Sequence, residues 1–140
     1  QQSQSLGLVL VDIDFFKQYN DAMGHPAGDT LLRQLAQLIA DALTDKATLY
    51  RLGGDEFAVL MPCEDTSTLE AYCQKLHRQV QQSQFAHAAH PDKKQVTLSI
   101  GATCFVPSQS GFANAYEAAD KALYQVKTSG RDNWRVIEVA

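Results

Sequence analysis

Two short groups of acidic side chains could together bind a divalent cation. Asp12 and Asp14 follow the apolar run Leu6–Val11, and Asp55 and Glu56 follow a pair of glycines. Carboxylates held close together repel one another unless a cation neutralises them, and oxygen ligands suit Mg²⁺ or Mn²⁺, which also bridge to phosphates. Two such metals would activate a hydroxyl and stabilise a leaving pyrophosphate. If the two segments are neighbouring strands, the acids therefore predict a metal site for phosphate chemistry.

Groups that could bind phosphate occur at two predicted helix ends. The segment Asp14–Lys17 opens a helix, and the first N–H groups of a helix are suited to an anion. Lys127 and Arg131 lie at the end of the last predicted helix, where cations are also routine partners of the helix dipole. Asp14 is explained equally well as a cap of the helix that follows it.

An amide and a carboxylate are placed where they could read a guanine base. Asn20 and Asp29 flank the segment Gly24–Gly28, which is predicted to be a loop. A carboxylate accepts hydrogen bonds from N1–H and the exocyclic amine of guanine, whereas N1 of adenine is itself an acceptor. The pair therefore favours guanine. His25, in the same loop, is expected to make a structural hydrogen bond.

Clear hydrophobic patterns predict the elements that position these residues. The run Leu6–Val11 indicates a strand buried on both faces. Ala47–Tyr50 and Phe57–Met61 indicate a β-hairpin around Gly53 and Gly54, although a merely solvated turn explains this stretch alone equally well. The other predicted elements are a helix over Phe15–Met23, a helix capped by Asp29, a helix capped by Ser67, a loop over Phe85–Lys94, a strand over Val96–Thr103, a helix over Ala115–Lys127 ended by Gly130, and a strand over Trp134–Val139. Strands and helices do not alternate strictly, so the pattern predicts an α+β fold with a mainly antiparallel sheet.

The composition fits one soluble domain that does not bind nucleic acid. The chain has 140 residues, a net charge of -4 and a pI near 5.4, which argues against a broad basic surface. Its three cysteines, Cys63, Cys73 and Cys104, form no C-x-x-C motif, so we expect buried free thiols rather than zinc or disulfides. Three histidines have no evident partner and are predicted to lie on the surface: His77, His87 and His90. The abrupt polar start indicates a piece of a longer protein.

Several segments resemble the motifs of the GGDEF family of diguanylate cyclases, in the order in which that family has them. They are Asp12–Asp21, Gly24–Asp29, Arg51–Phe57, Ser99–Gly101, Ala118–Tyr124 and Lys127–Arg131. The resemblance implies that residues 1–140 form a single GGDEF domain. It also implies a fold similar to nucleotidyl cyclases and polymerase palms, in which helices wrap a central sheet. Members of this family condense two GTP molecules into cyclic di-GMP across a homodimer and release two pyrophosphates.

The resemblance also implies roles for individual residues. Asp12, the Ile13 carbonyl and Asp55 would be ligands of Mg²⁺ or Mn²⁺, Glu56 would contribute to the metal site, and Asp55 would assist deprotonation of the attacking 3′-hydroxyl. Asp55 and Glu56 are therefore the predicted catalytic acids. The predicted substrate-binding groups are Asn20 and Asp29 for guanine, the backbone of Phe15, Phe16 and Lys17 with the side chains of Lys127 and Arg131 for the phosphates, and Gly53 and Gly54 for close approach of the nucleotide.

The chain departs from the family pattern in two places. Many members carry an inhibitory product site, Arg-x-x-Asp, shortly before the hairpin, whereas this chain has Thr44 and Ala47 at those two positions. We therefore expect weak or absent product inhibition through that site. The family segment Asp-x-Leu-Thr-Gly-Leu is also missing, which suggests a domain trimmed at its N-terminus. The full protein is then expected to carry an N-terminal sensory or regulatory domain and to work in the cytoplasm, free or tethered to the inner membrane.

Three functions remain open from the sequence. The first is an active cyclase, the second is an inactive domain that senses GTP or cyclic di-GMP, and the third is a cyclase with altered base choice. The retained acids Asp55 and Glu56 favour catalysis, and Asp29 favours guanine over adenine.

Overall fold

One five-stranded sheet carries the predicted acids at one of its ends. The structure is a computed structural model that describes residues 4–43 and 46–139. Its strands and helices are, in chain order, β1 (Leu6–Ile13), α1 (Phe16–Met23), α2 (His25–Asp41), β2 (Thr48–Gly53), β3 (Glu56–Pro62), α3 (Thr66–Ser83), β4 (Leu98–Phe105), α4 (Phe112–Thr128) and β5 (Asn133–Val136). The α+β class is confirmed.

The strand order is β2-β3-β1-β4-β5, and only the β4–β5 pair is parallel. The sheet is therefore mainly antiparallel, as predicted. β1 lies at its centre and is buried from Gly7 onwards, which explains why its sequence is continuously apolar. Its register places Asp12 opposite Glu56 of β3 and Ser99 of β4.

Alternate residues of β1 pack against different helices. Val9, Val11 and Ile13 belong to the core that α1, α2 and α3 cover, whereas Leu8 and Leu10 belong to the core that α4 covers. Because side chains alternate along a strand, the next residue on the α4 side is Asp12. The first acid group therefore continues an apolar row at the point where the sheet ends.

Two predicted helix starts are wrong. α2 begins at His25 with Pro26 in its first turn, so Gly24–Gly28 is mostly helical and Asp29 lies inside the helix instead of capping it. Proline favours this position because its fixed φ suits the first turn and its missing N–H is not needed there. The cap of α3 is Asp65, whose carboxylate accepts the Thr68 N–H at 2.9 Å, and not Ser67.

Other boundaries shift by a few residues. α4 begins at Phe112, β4 covers Leu98–Phe105, and β5 covers Asn133–Val136. Gly130 lies one residue beyond the C-cap Ser129, with a φ of 117° that favours glycine. Of the two residues that replace the inhibitory-site Arg and Asp, Thr44 lies outside the described residues, as does Asp45. The other, Ala47, packs against the core.

The predicted surface position of the histidines is wrong for two of them. His87 and His90 are only 1% and 3% exposed, and they lie within the segment predicted as a loop. That segment is irregular apart from a bridge between Ala86 and Gln95, but it folds inwards onto α1. His77 is partly buried, with Nε2 2.8 Å from Oδ1 of Asp132.

The cysteines are free thiols, as predicted. Cys63 and Cys73 are buried and Cys104 is partly buried. Burial raises the pKa of Cys63 and that of Cys73 to about 12, so both thiols are protonated at neutral pH. No helix in the described ranges has the combination of length and apolar content that crossing a membrane requires.

Candidate metal and nucleotide site

The two acid groups meet at one end of the sheet, as predicted. The hairpin between β2 and β3 turns at Gly53 and Gly54, which have φ values of 144° and 46°. Beyond this turn, the carbonyl of Asp55 accepts the N–H of Ile13 at 3.2 Å. This bond places Asp55 beside the end of β1, and the strand register places Glu56 opposite Asp12.

Lys127 joins the acids from the α4 side. It lies one helical turn beyond Leu123, which packs in the same core as Leu10, and its ammonium group forms an ion pair with Oδ2 of Asp12. The other oxygen of that carboxylate, Oδ1, is buried and has no hydrogen-bond partner among the described residues. An unpartnered buried carboxylate oxygen is unusual, because leaving such a group unpaired is costly.

Burial and mutual repulsion disfavour the charged form of these acids. The pKa of Asp12 is raised mainly by burial and also by the charge of Asp55, while Lys127 opposes the shift. The pKa of Glu56 is likewise raised by burial and by the charge of Asp12. A bound cation would relieve both effects.

The donor set suits a hard divalent cation. Asp12, Asp55 and Glu56 supply carboxylate oxygens, and Ile13, the next residue after Asp12, supplies a backbone carbonyl oxygen. Within residues 4–43 and 46–139, no three acidic, histidine or cysteine side chains already surround a common point as a complete metal site. Mg²⁺ usually keeps several waters and binds through one or two carboxylates together with substrate phosphates, so a small set of oxygen ligands suits it.

Asp14 does not cap α1 and is bonded within the fold instead. Its carboxylate is buried and accepts the hydroxyls of Thr97 at 2.7 Å and Ser99 at 2.6 Å, and the backbone N–H of Asp132 at 3.0 Å. Nη1 of Arg131 lies 3.9 Å from the same carboxylate. Asp14 thus ties the end of β1 to β4 and to the segment that carries Arg131.

One predicted phosphate-binding cation, Arg131, lies beside the start of α1. α1 begins after Phe15, which adopts a left-handed conformation with a φ of 57°, and no side chain caps the helix. The first N–H groups of the helix are therefore open to an anion. The guanidinium of Arg131 lies 5.1 Å from the centre of the Phe15 ring, so this cation sits beside the turn.

The predicted guanine readers flank Gly28. Oδ1 of Asn20 is buried without a hydrogen-bond partner among the described residues. A Cβ at Gly28 would overlap this oxygen and lie 2.9 Å from Cγ of Asn20, so the glycine makes room for the amide. Asp29, the next residue of α2, lines a cavity of about 490 Å³ between α2 and the hairpin, together with Arg33, Arg51 and other residues.

Two contacts of this site could not be predicted from the sequence. Arg51 donates from Nη2 to the carbonyl of Gly54 at 2.8 Å and so closes the hairpin turn. His87 bonds to the carbonyl of Phe15, 72 residues away. No periodicity or spacing signals such contacts. His25 is exposed at the start of α2, and the expected hydrogen bond of its side chain is not found among the described residues.

The sequence is similar to known proteins over most of its length. The sequence matches the family described as "Diguanylate cyclase, GGDEF domain" over residues 1–133. It is 33% identical over 132 residues to diguanylate cyclase A of Treponema denticola, covering 94% of this chain and 35% of that protein. It is 38% identical over 130 residues to the response regulator PleD of Caulobacter vibrioides, covering 89% of this chain and 27% of that protein. The chain thus spans about a third or less of these relatives.

The fold is also that of solved structures. The GGDEF domain of DgcB from Caulobacter crescentus, solved in complex with c-di-GMP, superposes with a TM-score of 0.82 at 29% identity. The match covers 95% of this chain and 78% of that one.

Proposed function

Because the chain belongs to the GGDEF family of diguanylate cyclases, we propose that it condenses two GTP molecules into cyclic di-GMP and releases two pyrophosphates. The observation that carries the proposal is the buried Oδ1 of Asp12, which has no hydrogen-bond partner in the described part of the chain and lies beside Asp55 and Lys127. A domain that needed this carboxylate only for folding would pair both of its oxygens. An oxygen kept free at the meeting point of two acid groups suits a metal–nucleotide complex.

The guanine base and the phosphates of GTP each have groups that could bind them. The guanine edge would bind Asp29 and the amide of Asn20, and the phosphates would bind the N–H groups of Phe15–Lys17 and the side chains of Lys127 and Arg131. Lys127 already contacts Asp12, so one ammonium group would neutralise both this carboxylate and an adjacent phosphate.

Asp12, Asp55, Glu56 and the Ile13 carbonyl would hold Mg²⁺ or Mn²⁺. When bound there, such a cation would favour deprotonation of the 3′-hydroxyl and neutralise charge on the leaving pyrophosphate. The Asp55 carboxylate would accept the hydroxyl proton as the oxygen attacks the α-phosphate of the second nucleotide. The site has one set of base and phosphate groups, so the second GTP comes from a second copy of the chain, and we propose a homodimer as the active form.

The proposal is tested by incubating the protein with GTP and Mg²⁺ and measuring both pyrophosphate and cyclic di-GMP. Asp55→Asn should lower the rate by at least about 100-fold, since it removes a metal ligand and proton acceptor. Asp41→Asn, an exposed acid at the end of α2, is the matched control and should leave the rate unchanged. Equal rates for Asp55→Asn and the unmodified protein would overturn the assignment of the site.

The alternative is a domain that binds GTP or cyclic di-GMP without turnover. Tight GTP binding with no pyrophosphate release, at a protein concentration that supports dimers, would establish this alternative. Adding ATP beside GTP in the same assay identifies altered base choice, because mixed or adenine products would then form.

The remaining partners belong to the longer protein. We propose an N-terminal sensory or regulatory domain that controls the dimer, and a location in the cytoplasm, where GTP is available, either free or tethered to the inner membrane.

A further inference from the structure

His87 is a buried side chain that reaches the predicted phosphate-binding turn from a distant part of the chain. It is 1% exposed, and its Nε2 lies 3.0 Å from the carbonyl oxygen of Phe15. Its ring packs edge-on against Tyr19, with centroids 5.2 Å apart, and against His90, with centroids 5.6 Å apart. These contacts hold the imidazole in one orientation below α1.

The hydrogen bond fixes the tautomer of His87. A carbonyl oxygen can only accept, so Nε2 must carry the proton and donate it to Phe15. The other ring nitrogen, Nδ1, is buried and has no partner among the described residues. The contacts of the ring thus place a donated proton on Nε2.

The bonded carbonyl belongs to a peptide unit that also carries a predicted phosphate donor. The peptide group between Phe15 and Phe16 is planar and trans, so its C=O and N–H point in opposite directions. A bond that anchors the Phe15 carbonyl therefore also sets the direction of the Phe16 N–H. The carbonyl accepts the N–H of Tyr19 at 3.1 Å as well, but that bond lies within the helix and cannot orient the helix start relative to the sheet.

The conformation of Phe15 needs such support. Phe15 is not glycine, yet its φ and ψ of 57° and 37° lie in the left-handed region, which L-residues with a side chain rarely adopt. No side chain caps α1, so local sequence does not hold this turn. From outside the helix, Arg131 and His90 contact the Phe15 ring, whereas His87 bonds to the Phe15 backbone carbonyl.

We propose that His87 is a positioning residue for phosphate binding: it donates to the Phe15 carbonyl and so holds the Phe16 N–H towards the phosphates of the nucleotide. The inference rests on the proposed function for the identity of the ligand, but it concerns binding and does not require turnover.

The test compares His87→Leu with His87→Gln. Leucine keeps an apolar side chain but cannot donate, whereas the amide nitrogen of glutamine takes a position close to that of Nε2. Affinities for a non-hydrolysable GTP analogue and for guanosine, which lacks phosphates, are measured in the presence of Mg²⁺. We expect His87→Leu to weaken the GTP analogue about tenfold and guanosine less than about twofold, and His87→Gln to recover most of the loss.

A stability control separates positioning from a general loss of structure. Val80→Ala removes buried methyl groups of α3 in the same core and should lower the melting temperature without changing the ratio of the two affinities. Should His87→Leu fail to fold, His87→Asn replaces it, because its shorter amide does not reach the Phe15 carbonyl.

Three results would overturn the proposal: unchanged affinity for the GTP analogue in a folded His87→Leu protein, an equal loss for guanosine and the analogue, or no recovery in His87→Gln. If the unmodified protein bound GTP without forming product, the proposed cyclase activity would be refuted. The affinity measurements would still test the role of His87 in phosphate binding.

Discussion

Replacing Gly28 by alanine should damage base recognition while leaving the fold intact. The new Cβ would overlap Oδ1 of Asn20 and lie 3.3 Å from Cζ of Phe16. The overlapping atom is the far end of a flexible side chain, so Asn20 can rotate away, and the Phe16 ring needs to move by only a few tenths of an ångström. The change also replaces a helical glycine by alanine, which favours the helix by about 1 kcal/mol. These effects oppose one another, so we expect the free energy of unfolding to change by less than about 1 kcal/mol.

Nucleotide affinity should change far more. A rotated Asn20 no longer presents its buried oxygen to the base, and a lost hydrogen bond that leaves a polar group unpaired costs about 1–3 kcal/mol. This range corresponds to a loss of affinity of about 5-fold to 150-fold. Titration calorimetry with a non-hydrolysable GTP analogue measures the affinity, and thermal melting of the same samples measures stability.

A double-mutant cycle shows whether the effect runs through Asn20. If it does, Gly28→Ala should weaken binding strongly alone but add little to Asn20→Ala. Gly111→Ala is the matched control, because Gly111 has a φ of -69° and a Cβ there meets no atom within 4 Å. Unchanged affinity in Gly28→Ala, or an equal loss in the presence and absence of the Asn20 amide, would refute the assignment of Asn20 as a base reader.

Three further predictions concern Asp12, Asp14 and the stretch Thr44–Ala47 before the hairpin. Asp12→Asn should stabilise the metal-free protein at neutral pH and weaken Mg²⁺ binding. The pKa of Asp12 in the folded protein is raised above its usual 3.8, so the folded state binds more protons than the unfolded state. The stability of the unmodified protein therefore falls as the pH rises from 3.8 through the raised pKa. Thermal melting against pH without Mg²⁺ should show this fall in the unmodified protein and a smaller one in Asp12→Asn. Asp14→Asn should lower the free energy of unfolding by about 2–3 kcal/mol in urea titrations, since a buried carboxylate that accepts three hydrogen bonds loses one acceptor oxygen. Added cyclic di-GMP should inhibit turnover weakly or not at all through the stretch Thr44–Ala47.

A specific result would contradict each of these three predictions. Identical pH profiles for the unmodified protein and Asp12→Asn would mean that burial of this acid does not affect stability. A change below about 0.5 kcal/mol for Asp14→Asn would remove its proposed part in joining β1, β4 and the Arg131 segment. Tight product inhibition that disappears when residues 44–47 are mutated would show that this stretch forms an inhibitory site after all.

The sheet and its acid cluster could be predicted because their signals are local. A continuous apolar run marks β1, and two β-type runs around Gly53 and Gly54 mark the hairpin. The acids at the ends of β1 and of the hairpin can meet only if these strands are neighbours in the sheet. The pairing of β1 with β3 meets this condition. The resemblance to a family added the residue roles, which local pattern cannot supply.

The errors occurred where local signals compete or are missing. Asp29 precedes an apolar pattern with helical spacing and so looks like a cap, but Pro26 starts the helix one turn earlier. His87 and His90 lie in a polar segment without periodicity, and burial there depends on Phe15 and Tyr19, which are about 70 residues away in sequence. Only the folded chain brings these rings together.

The two faces of the sheet supply different parts of the site, and this division has a functional consequence. Asp12 and Lys127 belong to the side covered by α4, whereas Asn20 and Asp29 belong to α1 and α2 on the opposite side. The turn at Phe15 crosses the end of the sheet between them. Because the two groups lie on opposite sides of the sheet, we expect substitutions of Asn20 or Asp29 to alter base preference while leaving Mg²⁺ affinity unchanged. The Phe15 turn lies between the two groups, and the bond from His87 anchors this turn from outside its own helix.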